Sequence, residues 1–402
     1  MRRAAGFSIL ELLVALVISA FVAIAIYGAF TSFSAVSSAT RAQGNAWQQA
    51  RTALAMMSDA IEGAGYGLPL GNCSQGIYTS VPPTQTTTTG TAPPLAFSTV
   101  NGNLLVTPVA AIPQTNAAYG YNPDNIGGVS AGVHTYALTV VAGGGNYGTV
   151  PATTITKVTS LTSATYFVGS SAGINPGDMT LVSLPDASCI MGQVTNGGGA
   201  ANELEQNSGK SDFNLPNGFS AVDPSVTAAE LANANVIDLG NAGFHIDNFY
   251  IADQGGTGVP CLYMQSIVTA AGLGTNLVPP PSLLARGVVD MRVAFGYGTN
   301  GTVSQYGPPG SGPAADVLAV RLQLLVRATR PQPGAKVGNG PNGVPAIALM
   351  NLDNDPATPA YYAVPTHLSA AYDTGCTVGN CTHYGYHVFD LVIPVRNDIW
   401  GQ

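Results

Sequence analysis

The sequence predicts an α+β protein in which one long amino-terminal helix is followed by a large, β-rich head. Three features lead to this prediction: an apolar run over residues 6–30, a helix-compatible continuation that stops at Gly63 and Gly65, and short apolar runs separated by turn residues after Tyr66. The 402 residues include 49 Gly and 28 Pro, and only 8% are charged. This composition favours turns and short strands over helices in most of the chain.

The charge balance argues against one class of partner. The formal net charge is -8, and Lys and Arg together number 13. The sequence has no basic tract that could neutralise a phosphate backbone, so we expect no nucleic-acid binding.

The apolar run predicts a membrane-spanning helix. The stretch from Leu12 to Phe30 is uncharged and, at about 1.5 Å per residue, approaches the ~30 Å hydrocarbon core of a bilayer. Arg2 and Arg3 precede it, which predicts a cytoplasmic leader and an exported head. The stretch AIAIYGAF could be read as the end of a cleaved secretory signal, but the helix-compatible sequence that continues beyond it favours a retained helix.

The same helix is expected to continue into the exported part of the chain. An amphipathic stripe is formed by apolar residues at spacings near multiples of 3.6, namely Val36, Trp47, Leu54, Met57 and Ile61. The membrane span and this stripe together predict one helix of about 55 residues, about 80 Å long.

One carboxylate, Glu11, lies near the front of the apolar run, where a charge is costly unless it has a partner or a task. The surrounding stretch RRAAGFSILELLVALVISA resembles the leader and helix start of type IV prepilins. The resemblance implies a leader peptide over residues 1–6, cleavage between Gly6 and Phe7 by a prepilin peptidase, and N-methylation of Phe7. It also implies a role in assembly for Glu11, the fifth residue of the mature chain, and a helix over 7–65 whose membrane span covers about 7–30.

One position departs from the pattern of many major pilins, which carry a proline at the twenty-second mature residue. This chain has Gly28 there. Glycine also weakens a helix, by about 1 kcal/mol relative to Ala, so the sequence allows local melting at this point.

The head, residues 66–402, contains many predicted strands. They are HTYALTVV, TTITKVTSL, TLVSL, GFHIDNFYIA, CLYMQSIV, VVDMRVAFGY, VLAVRLQLLVRA and YHVFDLVIPV. In VLAVRLQLLVRA, alternation predicts a half-buried strand with Arg321, Gln323 and Arg327 on the polar face. A short helix is predicted at PSVTAAELANAN, beginning at Asp223 and Pro224, and PPTQTTTTGTAPP is predicted to be a surface loop or an extended connector.

Four late stretches are similar to PilW-type minor pilins. FHIDNFYIADQGGTGVPCLYM resembles a segment that ends in CLYR, although Met264 replaces the arginine, and LLARGVVDMRVAFGYGTNGTVSQY resembles an EGVEDMQVQYG strand with its turn. DVLAVRLQLLVRATRP and HVFDLVIPVRN resemble the last two strands. The resemblance implies a PilW-like core over 236–402, with 72–235 as an elaboration of the head.

The resemblance also implies a function. The chain would be a structural minor pilin, not an enzyme, that primes filament assembly in a tip complex with other minor pilins and the major pilin. Its further partners would be the prepilin peptidase, which is also the N-methyltransferase, the inner-membrane assembly platform and membrane lipid. The head would be periplasmic before assembly and on the pilus afterwards. Two alternatives stay open, a tip adhesin and a minor pseudopilin of a type II secretion system.

The five cysteines of an exported head read first as disulfide partners. The short loop between Cys376 and Cys381 makes this pair the first choice for a bridge, and Cys189 with Cys261 is the second. The odd number leaves one cysteine over, and the sequence does not fix the connectivity.

Two stretches contain residue types that bind metal ions, but no metal or other cofactor is predicted. Cys376, Cys381, His383 and His387 are ligand types for zinc, but only one residue separates Cys381 from His383, which is too close for a zinc finger. The stretch NLDNDPATP brings carboxylates together, but it lacks the Gly and the distal Glu of an EF-hand loop.

Two further stretches match the letters of a catalytic motif and of a cofactor-binding motif. GVSAG, with Ser130 at its centre, matches the nucleophile elbow in letters but lacks the required strand before it and helix after it. GGGNYG, residues 143–148, matches a dinucleotide fingerprint, but no predicted helix follows. Both stretches are therefore predicted to be glycine turns.

Overall fold

The computed structural model describes the long helix and most of the head. The described residues are 9–66, 68, 73, 75–80, 86–87, 90–91, 95–100, 102–114, 135–142, 150–197, 202–241, 245–253, 259–268, 280–313, 317–332, 337–339, 346–350, 359–363 and 381–395. Several features of the sequence lie outside these residues: the Gly6–Phe7 junction, Ser130, the stretch 143–148, the acidic stretch 351–358, and Cys376.

One helix, α1, runs from Ile9 to Glu62 without a break. It ends where glycines allow the chain to turn: Gly65 has a φ of +73°, a conformation that glycine adopts without steric cost. The Gly65 amide donates to the Val141 carbonyl oxygen at 2.7 Å, which attaches the end of the helix to the head. The prediction of one long amino-terminal helix is thus confirmed.

The head consists mainly of short strands. The first half contains β1 Ile77–Thr79, β2 Thr86–Thr87, β3 Gly90–Thr91, β4 Ser98–Val100, β5 Asn103–Val106, β6 Val109–Pro113, β7 Tyr136–Ala142, β8 Thr153–Ser160, β9 Thr165–Val168, β10 Met179–Ser183, β11 Cys189–Gln193, β12 Asn196–Gly197 and β13 Glu203–Glu205. The second half contains β14 Asn235–Gly240, β15 His245–Asp253, β16 Pro260–Val268, β17 Ser282–Arg286, β18 Val288–Thr299, β19 Thr302–Gly307, β20 Val317–Arg327, β21 Ala346–Met350, β22 Pro359–Ala363 and β23 Tyr386–Pro394. All the stretches predicted as strands form strands, and the predicted α+β class is confirmed.

Most strands of the head belong to three sheets. A ten-stranded sheet has the order β12-β13-β9-β8-β14-β10-β11-β1-β5-β4, a five-stranded sheet has the order β17-β16-β15-β7-β6, and a four-stranded sheet has the order β19-β18-β20-β23. The strands β2 and β3, within the low-complexity stretch, pair with each other, and so do β21 and β22.

The five-stranded sheet is the middle layer. Alternate residues of β7 and β15, such as Leu138 and Phe249, pack in one apolar cluster with the helix and with β18 and β20. Residues of the opposite parity, such as Val141 and Ile246, pack in a second cluster with the ten-stranded sheet. Because side chains alternate across a strand, one sheet serves both neighbours.

The strand pairing bears on the predicted division of the head. The strands β6 and β7 lie within residues 72–235, yet β7 pairs with β15 over five residues and belongs to the sheet that covers the helix. The remaining described strands of that segment, apart from the β2–β3 hairpin, belong to the ten-stranded sheet. The division at residues 72 and 235 stays a prediction, and sheet membership crosses it.

The prediction of a half-buried β20 is wrong, because both faces of this strand are buried over most of its length. On the face predicted to be polar, Leu325 packs in an apolar cluster with Leu349 and Tyr384. Gln323 accepts from the Met350 amide at 2.7 Å, and the Arg327 guanidinium lies over the Tyr384 ring at 4.6 Å. The region around β21 and Cys381 thus forms a second layer that sequence alternation does not reveal.

The helix predicted at PSVTAAELANAN is also absent, and the described residues there form turns. A local cap forms four residues after the predicted start at Asp223: the Thr227 hydroxyl and amide both donate to the Glu230 carboxylate at 2.8 Å, as in a capping box. The turn is not propagated, because Asn233 takes a φ of +75° and its amide donates to Ile155 of β8.

The second-choice disulfide is corrected by the structure. Cys189 is bonded to Cys73, with a Cα–Cα distance of 5.3 Å, and Cys261 is a buried thiol in another sheet. The pairing follows from β1 and β11, which are neighbours with Ile77 opposite Cys189, so that the chain just before β1 lies beside β11. Cys381 is disulfide-bonded, but its predicted partner, Cys376, lies outside the described residues, so that pairing stays a prediction.

Candidate assembly and membrane interface

The amino-terminal half of α1 exposes a continuous apolar surface. Its large apolar side chains are each at least 50% exposed, and they are Ile9, Leu10, Leu12, Leu13, Val14, Leu16, Val17, Ile18, Phe21, Val22, Ile24, Ile26, Tyr27, Phe30, Phe33 and Val36. By length and composition the helix is able to cross a membrane, and the apolar part of it is not buried against the head. An apolar patch of this size indicates contact with lipid or with other chains.

Glu11 is an exposed carboxylate in the first turn of this surface. No other charged residue occurs between it and Arg41 in the sequence. Two hydroxyl groups in the same segment are bonded to their own helix: Ser19 donates to the Ala15 carbonyl oxygen at 2.7 Å and Thr31 donates to that of Gly28 at 2.9 Å. Glu11 therefore places one carboxylate in an otherwise uncharged segment, where a charge is costly in an apolar medium.

The helix continues through Gly28 without interruption. A Cβ atom added at Gly28 would have no heavy atom within 4 Å, so this position is open space in the single subunit. The weakening that glycine brings is thus tolerated here, and the structure keeps the α-helical backbone.

The carboxyl-terminal half of α1 packs on the head through small side chains. Four alanines, Ala39, Ala46, Ala50 and Ala53, are almost fully buried together with Leu54, Met57 and Ile61. The last three were predicted as members of the stripe. Val36, by contrast, is half exposed, and Trp47 lies at the edge, 4.9 Å from the His387 ring between centroids. The alanines were missed because alanine is compatible with any face of a helix, so hydrophobic periodicity gives it little weight.

Side-chain contacts fix the head against the helix just above the exposed half. The Arg286 amide at the end of β17 donates to the Gln49 side-chain oxygen at 3.2 Å, and Gln332 after β20 donates to Gln43. A Cβ atom added at Gly385 would lie 2.9 Å from the Gln43 amide nitrogen, so the absence of a side chain there permits the close approach.

A groove of about 680 Å³ lies at the point where the helix leaves the head. Its walls are Phe30, Phe33 and polar residues of the helix on one side, and the ends of β17 and β20 on the other. Three arginines, Arg41, Arg286 and Arg330, line it. Sequence reasoning did not find this group, because the three residues are far apart along the chain and follow no pattern.

The histidines among the candidate zinc ligands have different surroundings. His383 lies next to Cys381 in a single 3-10 turn, whereas the His387 ring packs between Trp47 and Phe389, 4.5 Å from the latter between centroids. Within the residues that the structure describes, no group of three or more side chains of the metal-binding types His, Cys, Asp and Glu lies together.

Comparison with known families gives two matches. Residues 248–397 match the family model of type IV pilus-assembly protein W, and residues 1–27 match the prokaryotic N-terminal methylation motif. The first match contains β16 to β23, and the second contains the leader, Glu11 and most of the exposed apolar surface. The resemblance to PilW-type pilins predicted from the sequence is thereby confirmed.

No curated protein sequence and no solved structure gives a match to the chain.

Proposed function

We propose that this chain is a type IV pilus minor pilin that primes filament assembly in a tip complex with other minor pilins, a proposal that its two family matches support. The role is structural and not catalytic. The observation that carries it is the exposed apolar half of α1, which bears one carboxylate at its start. Such a surface fits a lipid bilayer before assembly and the helix bundle of a filament afterwards.

Glu11 is proposed to set the register between subunits. Cleavage after Gly6 creates an amino group on Phe7, four residues before Glu11. In an apolar core, a carboxylate that faces a neighbour's ammonium group is compensated, and the attraction is much stronger than in water. Removal of one partner leaves a buried charge uncompensated, which is strongly unfavourable.

The proposed processing and localisation depend on the amino-terminal end of the chain. The prepilin peptidase would cleave at Gly6 and methylate Phe7, and the inner-membrane assembly platform would then receive the subunit. The two arginines of the leader favour a cytoplasmic amino terminus and a periplasmic head. After assembly the head would be carried on the pilus.

The ten-stranded sheet supports a position at the tip. Its strands lie on the far side of the five-stranded sheet from α1 and add bulk to the head without covering the exposed half of the helix. Bulk on every subunit of a thin filament would be difficult to accommodate, whereas a subunit at the distal end has no neighbour above it.

The test separates processing from assembly. We expect Gly6→Val to block processing, and Glu11→Ala to be processed but to enter the filament complex poorly. Glu11→Gln keeps the size of the side chain and removes the charge, so it should behave like Glu11→Ala if the charge is what matters. Asp59→Ala, an exposed carboxylate near the other end of α1, is the matched control and should assemble normally.

Immunoblots of whole cells and of sheared pili report both steps. A processed Glu11→Ala protein that still primes filaments at the normal level would refute the assembly role of the carboxylate. Normal processing of Gly6→Val would refute the assigned cleavage site.

A second candidate function, a tip adhesin, is favoured by a groove of about 390 Å³ in the ten-stranded part, several of whose lining side chains are polar. Its walls carry hydroxyl, amide and carboxylate groups from residues such as Thr99, Ser208 and Asp212, which suit a hydroxyl-rich ligand. Ser208→Trp would fill this groove far from the helix. Loss of attachment with normal piliation would favour the adhesin, and unchanged attachment would exclude this groove.

The third alternative, a minor pseudopilin of a type II secretion system, is separated from the others by the neighbouring genes. A cluster of minor pilin genes would support the pilus, and a secretion operon would support the pseudopilin.

A further inference from the structure

The groove at the point where α1 leaves the head is lined by positively charged side chains, although the protein as a whole is acidic. Arg41, Arg286 and Arg330 line it, although the whole chain has only 13 Lys and Arg residues against 21 Asp and Glu. All three side chains are exposed. In the part of the chain that the structure describes, none of them forms an ion pair with a carboxylate, and the lining residues include no acid. The groove is therefore suited to an anion.

The position of the groove along α1 suggests where that anion comes from. The exposed apolar surface runs from Ile9 to Val36, about 40 Å at ~1.5 Å per residue, which matches the 40–45 Å of a bilayer with its headgroups. Arg41 is five residues further, about 7.5 Å along the axis. This distance is within the Debye length of about 8 Å at physiological salt, so the guanidinium groups lie within electrostatic reach of the membrane surface.

We propose that this groove binds the headgroup of an anionic phospholipid in the outer leaflet before the subunit enters the filament. The inference rests on the proposed function in that it requires α1 to span the membrane with the head on the periplasmic side. The phosphate would lie among the three arginines, whose planar guanidinium groups can hold phosphate oxygens in pairs. The acyl chains would lie along Phe30 and Phe33, which are 67% and 73% exposed on the bilayer side of the groove.

The backbone holds the arginines of the head in place. Gly287 has a φ of +79°, and a Cβ atom there would lie 2.2 Å from the Arg327 carbonyl oxygen, so only glycine fits between β17 and β18. The Arg327 amide donates to the Gly287 carbonyl oxygen at 2.7 Å. This contact brings Arg286, just before Gly287, close to the chain that leads to Arg330. The site is thus formed in the single subunit and does not need another chain to complete it.

A lipid suits this groove better than an acidic segment of another pilin. A phospholipid is amphipathic in the same sense as the groove, with an anion at the arginines and apolar chains at the phenylalanines. Ser34, Ser37 and Asn45 also line the groove and offer donors for glycerol hydroxyl and ester oxygens. A peptide carboxylate would use the arginines but would leave the aromatic end without a partner.

The test uses the full-length chain in nanodiscs of phosphatidylcholine that contain increasing fractions of phosphatidylglycerol. Native mass spectrometry of the released protein measures the ratio of retained phosphatidylglycerol to phosphatidylcholine. We expect retention of phosphatidylglycerol above its share in the nanodisc, weakening as salt is raised. Each of Arg41→Gln, Arg286→Gln and Arg330→Gln should lower the preference about five-fold, the equivalent of ~1 kcal/mol for each arginine near an anionic surface. The triple variant should lower it at least ten-fold.

Arg51→Gln is the matched control. Arg51 is an exposed arginine of the same helix that does not line the groove, and it lies about 22 Å beyond Val36 along the axis. It should leave the lipid preference unchanged. Circular dichroism of every variant verifies that the head remains folded.

Several results would overturn the proposal. These are equal retention of the two lipids by the unaltered chain, an unchanged preference in the triple variant, or an equal loss in Arg51→Gln. Displacement of phosphatidylglycerol by millimolar glycerol phosphate would indicate a site for soluble anions instead. Loss of binding to other minor pilins without loss of lipid preference would make the groove a protein contact. Failure of the full chain to insert into nanodiscs would instead refute the membrane placement of α1.

Discussion

The two large parts of the head obtain their cores in different ways. The five- and four-stranded sheets bury one face against α1, and alanines of the helix let the strands approach closely. The ten-stranded sheet has an apolar cluster of its own, with members such as Tyr166, Phe219 and Val236. Among the described residues, none of α1 belongs to this cluster. A disulfide, Cys73–Cys189, joins the chain before β1 to β11 in that sheet. One part thus relies on the helix, and the other relies on itself and on a covalent bond.

This difference indicates how the head can grow without loss of function. The helix-packed part is tied to α1, whose exposed half is the proposed membrane and filament segment, so changes there alter the position of the head on the helix. The ten-stranded part contacts the outer face of the five-stranded sheet through a separate cluster. It can therefore carry additional strands, a groove and a disulfide while the assembly surface stays the same.

The largest expected effect comes from removal of the disulfide. Cys73→Ser with Cys189→Ser opens a cross-link between residues separated by 116 positions. Bridges that close loops of this length contribute up to about 4.7 kcal/mol in the chain-entropy model, and loss of a native disulfide typically costs about 2–5 kcal/mol. Hydrogen exchange followed by mass spectrometry should show faster exchange in β1, β5, β10 and β11, with β18 and β20 little changed.

Cys261→Ala is the control for this pair, because Cys261 is a buried thiol in β16 of the five-stranded sheet. It should leave the exchange of β1 and β11 unchanged. A uniform loss of protection over both parts in the disulfide variant would show that the two parts unfold as one unit, and the comparison would then fail.

The second largest expected effect is a loss of stability in the part of the head that packs on α1. Ala50 is fully buried between α1 and the sheets, so Ala50→Leu forces extra volume into a packed core. Overpacking of this kind costs about 1–3 kcal/mol. We expect chemical denaturation of the full chain to show a lower midpoint, and hydrogen exchange to be faster in β17, β18 and β20 but not in β9 or β11.

Ala23→Leu is the matched control on the exposed half of the same helix. It adds the same volume where no head residue is in contact, so the stability of the head should not change. If Ala23→Leu destabilises the head as much as Ala50→Leu does, the assignment of the two halves to different environments is wrong.

The sequence predicted features that have a short-range signal. Local patterns of hydrophobicity and turn residues predict the long helix, its end at glycine and the late strands. They also show that Glu11 lies at the start of an apolar run. The groove of Arg41, Arg286 and Arg330 and the pairing of Cys73 with Cys189 depend on which strands become neighbours, and no local pattern specifies that. The polar face assigned to β20 was wrong for the same reason, because the layer that covers Leu325 comes from more distant parts of the chain.

The smallest expected effect is a pair of opposite pH dependences within the ten-stranded part. Asp178, just before β10, is buried, and burial raises the pKa of its carboxyl group although the Asn175 amide donates to it at 2.7 Å. Asp223 is exposed, and donation from the Ser225 hydroxyl at 2.6 Å and from the Ser225 amide lowers the pKa of its carboxyl group. The pKa values of the two carboxyl groups thus depart in opposite directions from the ordinary value of 3.8.

The signs of the two contributions follow from proton linkage. A raised pKa means that the folded state binds the proton more tightly, so the contribution of Asp178 is present below pH 3.8 and is lost as the pH rises through the folded value. A lowered pKa means the reverse, so the contribution of Asp223 is present above pH 3.8 and is lost as the pH falls through the folded value.

Each asparagine variant removes one of these contributions. The difference in the free energy of unfolding between the variant and the unaltered chain cancels the contributions of the other carboxylates. In urea titrations from pH 3 to 7 with the disulfide intact, the unaltered chain should lose stability relative to Asp178→Asn as the pH rises. Relative to Asp223→Asn it should gain stability over the same range. Hydrogen exchange should place both changes in the ten-stranded part. Equal changes in β18 and β20 would show that this part does not respond to local charge independently of the helix-packed sheets.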